Sequence, residues 1–328
     1  MSKQESLKIA LVGNPNLGKT TLFNKLCGLN QRTGNYPGVT VDKKKGFLKK
    51  EGSKIEIIDL PGINSLFPSS KDEELVVNYL MNTKSEDYPD KIVLIVSTLN
   101  LKRNLYLYEQ IRDLNVPLIL AVNMVDVAEK RGVFLEVEEL RKEIDVPIIP
   151  ISAKKGDGLD DLIAEFSKAH TIAPRELTFI QDDDLNLLNT YSAERGNTNH
   201  YISFLELTNS SIEVENDNRE AFISENSIDV RKWKTNASIL RYKHIKTYLH
   251  GVLNIDKSKA KDLTSKLDRI LLHPILGYVI FMAILFGIFQ SIFWLASYPM
   301  DLIDGSFASM TEMAKGVLPD GYFSQMIT

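Results

Sequence analysis

Residues Gly13-Asn14-Pro15-Asn16-Leu17-Gly18-Lys19-Thr20 match the GxxxxGK[ST] spacing in full. These residue types in this order bind phosphate. Glycines let the backbone curl until its amides face phosphate oxygens. A helix opening at Lys19 turns the positive end of its dipole to the same point. Lys19 is spaced to reach the β- and γ-phosphates, and the Thr20 hydroxyl to bind Mg²⁺, with Thr21 completing the run.

Three further segments select the nucleotide. Asp59-Leu60-Pro61-Gly62 has the Asp-x-x-Gly pattern of a GTPase switch. Asp59 is expected just outside the Mg²⁺ ligands, and the Gly62 N–H is expected to sense the γ-phosphate. Asn123-Met124-Val125-Asp126 has the Asn-x-x-Asp pattern that reads guanine. Its carboxylate can accept from guanine N1–H and N2–H, whereas adenine offers no matching donors. Leaving such groups unpaired costs about 1–3 kcal/mol each. Ser152-Ala153-Lys154 stands where such proteins cover the base. Thr40, in a glycine-bearing loop that also contains Gly38, is the candidate switch threonine and a third Mg²⁺ group. Lys19, Thr40 and Gly62 are thus the residues expected to act on the transferred phosphate.

Many GTPases orient the attacking water with a glutamine after Asp-x-x-Gly. Here the position is Ile63. Water must then be placed by backbone groups, another residue or a partner, and slow hydrolysis is expected.

Apolar runs at residues 9–12, 92–96, 118–122 and 146–149, with a weaker one at 55–58, read as strands buried on both faces. Helical patterns lie between them at 20–26, 104–114, 135–144 and 159–166. Alternation of this kind predicts a doubly wound α/β domain with the Ras-like arrangement of a P-loop GTPase, over residues 1–173. Each motif then falls at the C-terminal end of a strand, where open α/β sheets bind ligands. Residues 174–270 read as a helical domain, with Ile239, Tyr242, Ile245, Leu249 and Val252 at helical spacing. Residues 275–297 contain no Asp, Glu, Lys or Arg, enough for one transmembrane helix across a ~30 Å hydrocarbon core. The helix is expected over 271–299, ended by Pro299, with 300–328 as an extracytoplasmic segment carrying Asp301 and Asp304. Lys257, Lys259, Lys261, Lys266 and Arg269 precede the span and only Lys315 follows it, which places the N-terminal side in the cytoplasm.

The net charge of −4 offers no basic field for nucleic acid, and the region after Pro174 is acidic, which disfavours a ribosome- or RNA-associated GTPase. Cys27 is the single cysteine, so no internal disulfide forms. Residues 1–8 lack the apolar core of a signal peptide. His170, His200, His244, His250 and His273 are scattered, without recognisable iron-ligand spacing, and His273 reads as an interfacial residue.

The sequence resembles the FeoB family of bacterial ferrous iron transport proteins. The matching text is GNPNLGKTTLFNKL at residues 13–26, GNYPGVTVDKKK at 34–45, NLKRNLYL at 100–107 and RILLHPILG at 269–277. Leu17 and Tyr36 depart from common family residues without touching phosphate chemistry. The resemblance implies a cytoplasmic G domain with GTP or GDP, a helical domain resembling a guanine-nucleotide-dissociation inhibitor, and Fe²⁺ import across the inner membrane. It implies K⁺ at Asn16 and a small cytoplasmic Feo accessory protein. One helix cannot enclose an ion path, so further membrane helices or self-association are also implied. A membrane-anchored regulatory GTPase without transport is the alternative.

Overall fold

The computed structural model describes residues 6–28, 31–35, 42–50, 53–180, 182–214, 217–256, 267 and 270–317. The strands are β1 (Leu7–Gly13), β2 (Gln31–Asn35), β3 (Asp42–Lys50), β4 (Ser53–Asp59), β5 (Lys91–Ser97), β6 (Leu118–Asn123), β7 (Val133–Leu135), β8 (Ile148–Pro150) and β9 (Leu253–Ile255). The helices are α1 (Lys19–Cys27), α2 (Lys71–Met81), α3 (Leu101–Arg112), α4 (Val125–Lys130), α5 (Val137–Glu143), α6 (Leu159–Phe166), α7 (Asp182–Arg195), α8 (His200–Thr208), α9 (Arg219–Glu225), α10 (Val230–Tyr248) and α11 (Leu276–Val317).

The main sheet has the order β2-β3-β4-β1-β5-β6-β8. β4, β1, β5, β6 and β8 are parallel, as the unbroken apolar runs require. Alternate residues serve opposite faces. Ile9 and Leu11 point to the layer holding α1 and α6, while Ala10 and Val12 point to the layer holding α2 and α3.

β2 pairs antiparallel with β3, and β3 antiparallel with β4, a hairpin that the sequence reading missed. β3 reads DKKKGFLKK, with no apolar alternation. It is held by its pairing to β4, where Gly46 faces Ile57 and Phe47 faces Glu56. The 135–144 pattern also divides. Val133–Leu135 is a strand paired with β9, and the helix begins only at Val137.

Residues up to 260 form one compact unit. Phe204, Trp233, Ala237 and Ile245 of α8 and α10 join the same core as Ala10, Val12 and Leu94 of the sheet. The change at residue 173 is therefore one of secondary structure within a continuous core. Ile239 and Tyr242 depart from the expected apolar stripe of α10, being 60% and 40% exposed. Trp233, Ala237, Arg241, Ile245 and Tyr248 form its buried face.

Residues 261–328 make the second unit. His273 Nδ1 accepts from the N–H groups of Ile275 and Leu276, which caps the start of α11. Its residues 276–313 are long and apolar enough to cross a membrane, and none of the most apolar window is buried. Pro299 does not end this helix, and Asp301 and Asp304 lie inside it rather than in a loop. A proline removes one backbone donor; the helix formers on either side, among them Leu295, Ala296, Met300 and Leu302, carry the helix past it.

Candidate nucleotide-binding site

The motifs gather at one edge of the sheet. Gly13 ends β1, Asp59 ends β4, Ser97 ends β5, Asn123 ends β6 and Pro150 ends β8. Strand order reverses about β1, so the loop after it opens at the topological switch point.

Lys19 begins α1 and is 7% exposed. Its Nζ donates to the carbonyls of Gly13 and Asn14, each at 3.1 Å, so the ammonium lies inside the curl of the loop. Burial holds it below the ordinary lysine range, with Asp59 pulling the other way. Thr20 Oγ1 donates to Asp59 Oδ2 at 3.2 Å. Asp59 Oδ1 is buried with no hydrogen-bond partner. Burial pushes this carboxyl above the usual carboxylate range, against Lys19, Thr20 and Lys44. A hydroxyl and a buried, unsatisfied carboxylate oxygen side by side are hard oxygen donors and fit Mg²⁺. Asn16 is exposed at the loop tip with φ 63°, a left-handed position that asparagine tolerates. Thr21 is exposed on the first turn of α1, beside Thr20.

Asn123, 3% exposed, joins three segments. Its Nδ2 donates to Leu17 O at 2.8 Å, and its Oδ1 accepts from Ala153 N at 2.9 Å. Its own carbonyl accepts from Thr98 Oγ1 at 3.2 Å. Gly18 has φ 85°, and a Cβ there would lie 2.7 Å from Asn123 Nδ2. Glycine at 18 is what lets the loop after β1 approach the end of β6. Met124 takes φ 63° and starts α4, which carries Asp126. Burial alone would raise the Asp126 carboxyl, but the Ser152 hydroxyl and Lys155 hold it below the usual range. Lys155 Nζ stands 3.6 Å from Asp126 Oδ2, and both Lys154 and Lys155 are exposed. Lys155 is thus a basic residue beside the Asp126 carboxylate that the motifs did not single out.

Gly62 backs onto the phosphate loop: a Cβ there would meet Pro15 Cα and N at 2.9 Å. Ile63 is 0% exposed, its side chain in the core and its N–H donating to Gly13 O at 3.2 Å. The next residue, Asn64, carries the polar contacts. Its Oδ1 accepts from Asn14 Nδ2 at 3.3 Å and Arg103 Nη2 at 3.0 Å, and its N–H and Nδ2 donate to Glu73 Oε1 at 3.0 and 3.1 Å. Asn104 Nδ2 donates to Asn14 Oδ1 at 2.7 Å, which ties α3 to the loop. Gly38 and Thr40 lie outside the described residues. Two cavities of about 360 and 680 Å³ lie elsewhere, around Arg175 and Glu176, and neither is lined by a motif residue.

Comparison with known proteins follows the same residues. Residues 7–166 match the family model of ferrous iron transport protein B. The solved cytosolic domain of L. pneumophila FeoB is 31% identical, with a TM-score of 0.66 over 75% of this chain and 99% of that domain. The chain belongs to the FeoB family. The cytosolic domain of T. maritima FeoB in its GMPPNP form is 25% identical, with a TM-score of 0.65 over 76% of this chain and 99% of that domain. A Porphyromonas gingivalis fusion of Fe(2+) transport protein A with the Fe(2+) transporter FeoB is 30% identical over 98% of this chain and 41% of its own length. The chain spans under half the length of the curated FeoB relatives it matches.

Within this FeoB chain, sequence reasoning missed Asn64, Asn104, Lys155 and helix α2. A signal for α2 was present: Ser70 and Glu73 have capping-box spacing ahead of Val76, Val77 and Leu80. The asparagines carry no such signal, because their partners come from distant parts of the chain. Among the described residues no cluster of three His, Cys, Asp or Glu could hold a metal ion.

Proposed function

We propose that this chain binds GTP with Mg²⁺ and hydrolyses it slowly as the nucleotide-responsive part of a bacterial Fe²⁺ uptake system. The observation that carries the reading is the Asn123 amide, bonded at once to the phosphate loop and to the loop after β8. It would set the distance between a triphosphate cradle and the Asp126 carboxylate. The GMPPNP form of the T. maritima domain supports a guanine nucleotide.

Lys19 would neutralise the β- and γ-phosphates, and Gly13, Asn14, Gly18, Thr20 and Thr21 would wrap them. Thr20, Asp59 and Thr40 would hold Mg²⁺, which when bound offsets negative charge on the phosphate oxygens. Gly62 would give its N–H to the γ-phosphate, and Gly38 would close over the nucleotide. Met124, Asp126, Ser152, Ala153 and Lys154 would form the base pocket, joined by Lys155. With Ile63 in the core, its side chain does not orient the water, and backbone groups, another residue or a partner would take that role. Asn16 would offer K⁺ a side-chain oxygen; GTPase rates in KCl and NaCl test this, and equal rates remove it.

Residues 276–297 would cross the inner membrane, with the G domain in the cytoplasm. The fusion relative supports a small accessory partner related to Fe(2+) transport protein A. Coupling of the nucleotide state to Fe²⁺ passage rests on the helical region sharing its core with the sheet. The deciding experiment is a calorimetric titration of the chain with Mg·GTP and Mg·ATP. Heat is expected with GTP alone, and Asp126→Ala should remove two bonds of about 1–3 kcal/mol each. An equal affinity for ATP would overturn the assignment.

A further inference from the structure

Leu66 lies four residues beyond Gly62, in a stretch from Leu60 to Ser70 without helix or strand. Both of its main-chain groups are held by side chains from other elements. Its N–H donates to Gln110 Oε1 of α3 at 2.9 Å, and its carbonyl accepts from Asn209 Nδ2 at 3.0 Å. Leu66 and Gln110 are 0% exposed and Asn209 is 3% exposed. Gln110 Nε2 also donates to Ser65 Oγ at 3.0 Å.

Asn209 is itself fixed within the helical region. It closes the C-terminus of α8, its N–H donating to Leu205 O at 2.9 Å, and its carbonyl accepts from Arg219 Nη1 of α9 at 2.7 Å. Beside it, Asn78 of α2 donates to Ser211 O at 3.4 Å and accepts from Glu213 N at 3.2 Å. Phe67 packs edge-on against Phe204, with ring centroids 6.2 Å apart.

A peptide held this way differs from one in a sheet ladder. Letting go of its side-chain partners breaks no helix or strand. Leaving one bond unmade in place, however, strands a buried polar group at about 1–3 kcal/mol. The peptide therefore favours two discrete arrangements, gripped or displaced as a unit, over a graded shift. The tether from Leu66 to the γ-phosphate sensor is three residues long, and Ile63 within it is fully buried.

Building on the reading of Gly62 as that sensor, we propose that Asn209 is a positioning residue that sets the preference of the site between guanosine di- and triphosphate. It does so by gripping Leu66 in one nucleotide state and releasing it in the other. Linkage gives the proposal a sharp signature. A bond made in one state only changes the ratio of the two affinities. A bond made in both, or one that merely supports the fold, changes both affinities alike.

The test uses the full chain in detergent. Dissociation constants for Mg·GDP and Mg·GMPPNP are measured for the unaltered chain, for Asn209→Asp, which keeps the shape and loses the donor, and for Asn209→Ala. Both substitutions should move the ratio of the two constants by about fivefold or more. Hydrogen exchange on the unaltered chain needs no substitution: peptides covering 64–67 and 205–209 should exchange at different rates with the two nucleotides. Equal losses of both affinities, or identical exchange with both nucleotides, would overturn the proposal. Failure of the unaltered chain to bind either nucleotide would overturn the reading of the site, and the latch with it.

Discussion

The Asn123 amide is shared by loops that lie far apart in the chain, and this explains why asparagine rather than a similar residue stands there. Its two polar atoms face opposite ways, one a donor to Leu17 O and one an acceptor from Ala153 N. An aspartate would lose the donor and a leucine both. Asn123→Ala leaves two buried backbone groups unpaired, at about 1–3 kcal/mol each. The expected result is a lower denaturation midpoint and at least about tenfold weaker GTP binding, since ~1.4 kcal/mol is a factor of ten. A titration and a urea melt check both, and unchanged affinity would separate Asn123 from the site. At the same scale, Asp59→Asn removes the charge beside Thr20, and the dependence of nucleotide binding on Mg²⁺ should fall. Calorimetry with and without a chelator reads it out.

Among the elements, α2 and α6 show how helix ends are secured. Glu73 sits in the first turn of α2 but reaches beyond it, to Asn64 and Ser69. Burial alone would raise its carboxyl; the bonds from Ser69 and Asn64 outweigh burial and hold it below the ordinary value of 4.5. The folded state thus binds fewer protons here than the unfolded chain. Stability from Glu73 is full above pH 4.5 and is lost as pH falls through the lowered folded value. The gap in denaturation midpoint between the natural chain and Glu73→Gln should therefore narrow on acidification below that point; a gap independent of pH would refute the pairing. At α6, buried Lys91 donates to the carbonyls of Glu165, Phe166 and Lys168 at 3.1, 2.8 and 2.7 Å. Carbonyls at a helix C-terminus lack i+4 donors, and here that of Glu165 also accepts from a nearby backbone N–H, that of Lys168 at 3.3 Å. Lys91→Met keeps the stem and removes the donors, and should cost about 1–3 kcal/mol, measured by thermal or urea unfolding.

At the scale of the whole molecule, α11 has 42 residues. At 1.5 Å per residue such a helix is about 63 Å long, roughly twice a bilayer's hydrocarbon core. Only part of it can lie in lipid, and the uncharged stretch at 275–297 is the part whose composition allows it. Phe286 stands near the middle of that stretch and is 71% exposed. Phe286→Arg should disfavour insertion by about 2.5–3.5 kcal/mol, read as a larger soluble fraction after alkaline extraction of membranes. An unchanged distribution would argue against a span at that position.

The sequence by itself determined the parts whose signal is local. Lys19, Asp59, Asn123 and Ser152 are marked by spacing within short motifs, and buried parallel strands announce themselves as unbroken apolar runs. Tertiary structure decided what depends on partners far along the chain. The charged strand β3 exists through its pairing with β4, and Asn104 meets Asn14 across 90 residues. Lys155 stands 3.6 Å from Asp126 through the path of the loop after β8, a placement that no motif spacing marks. The grip of Asn209 on Leu66 spans 143 residues, a contact that no local pattern encodes because its two ends meet only once the core has closed.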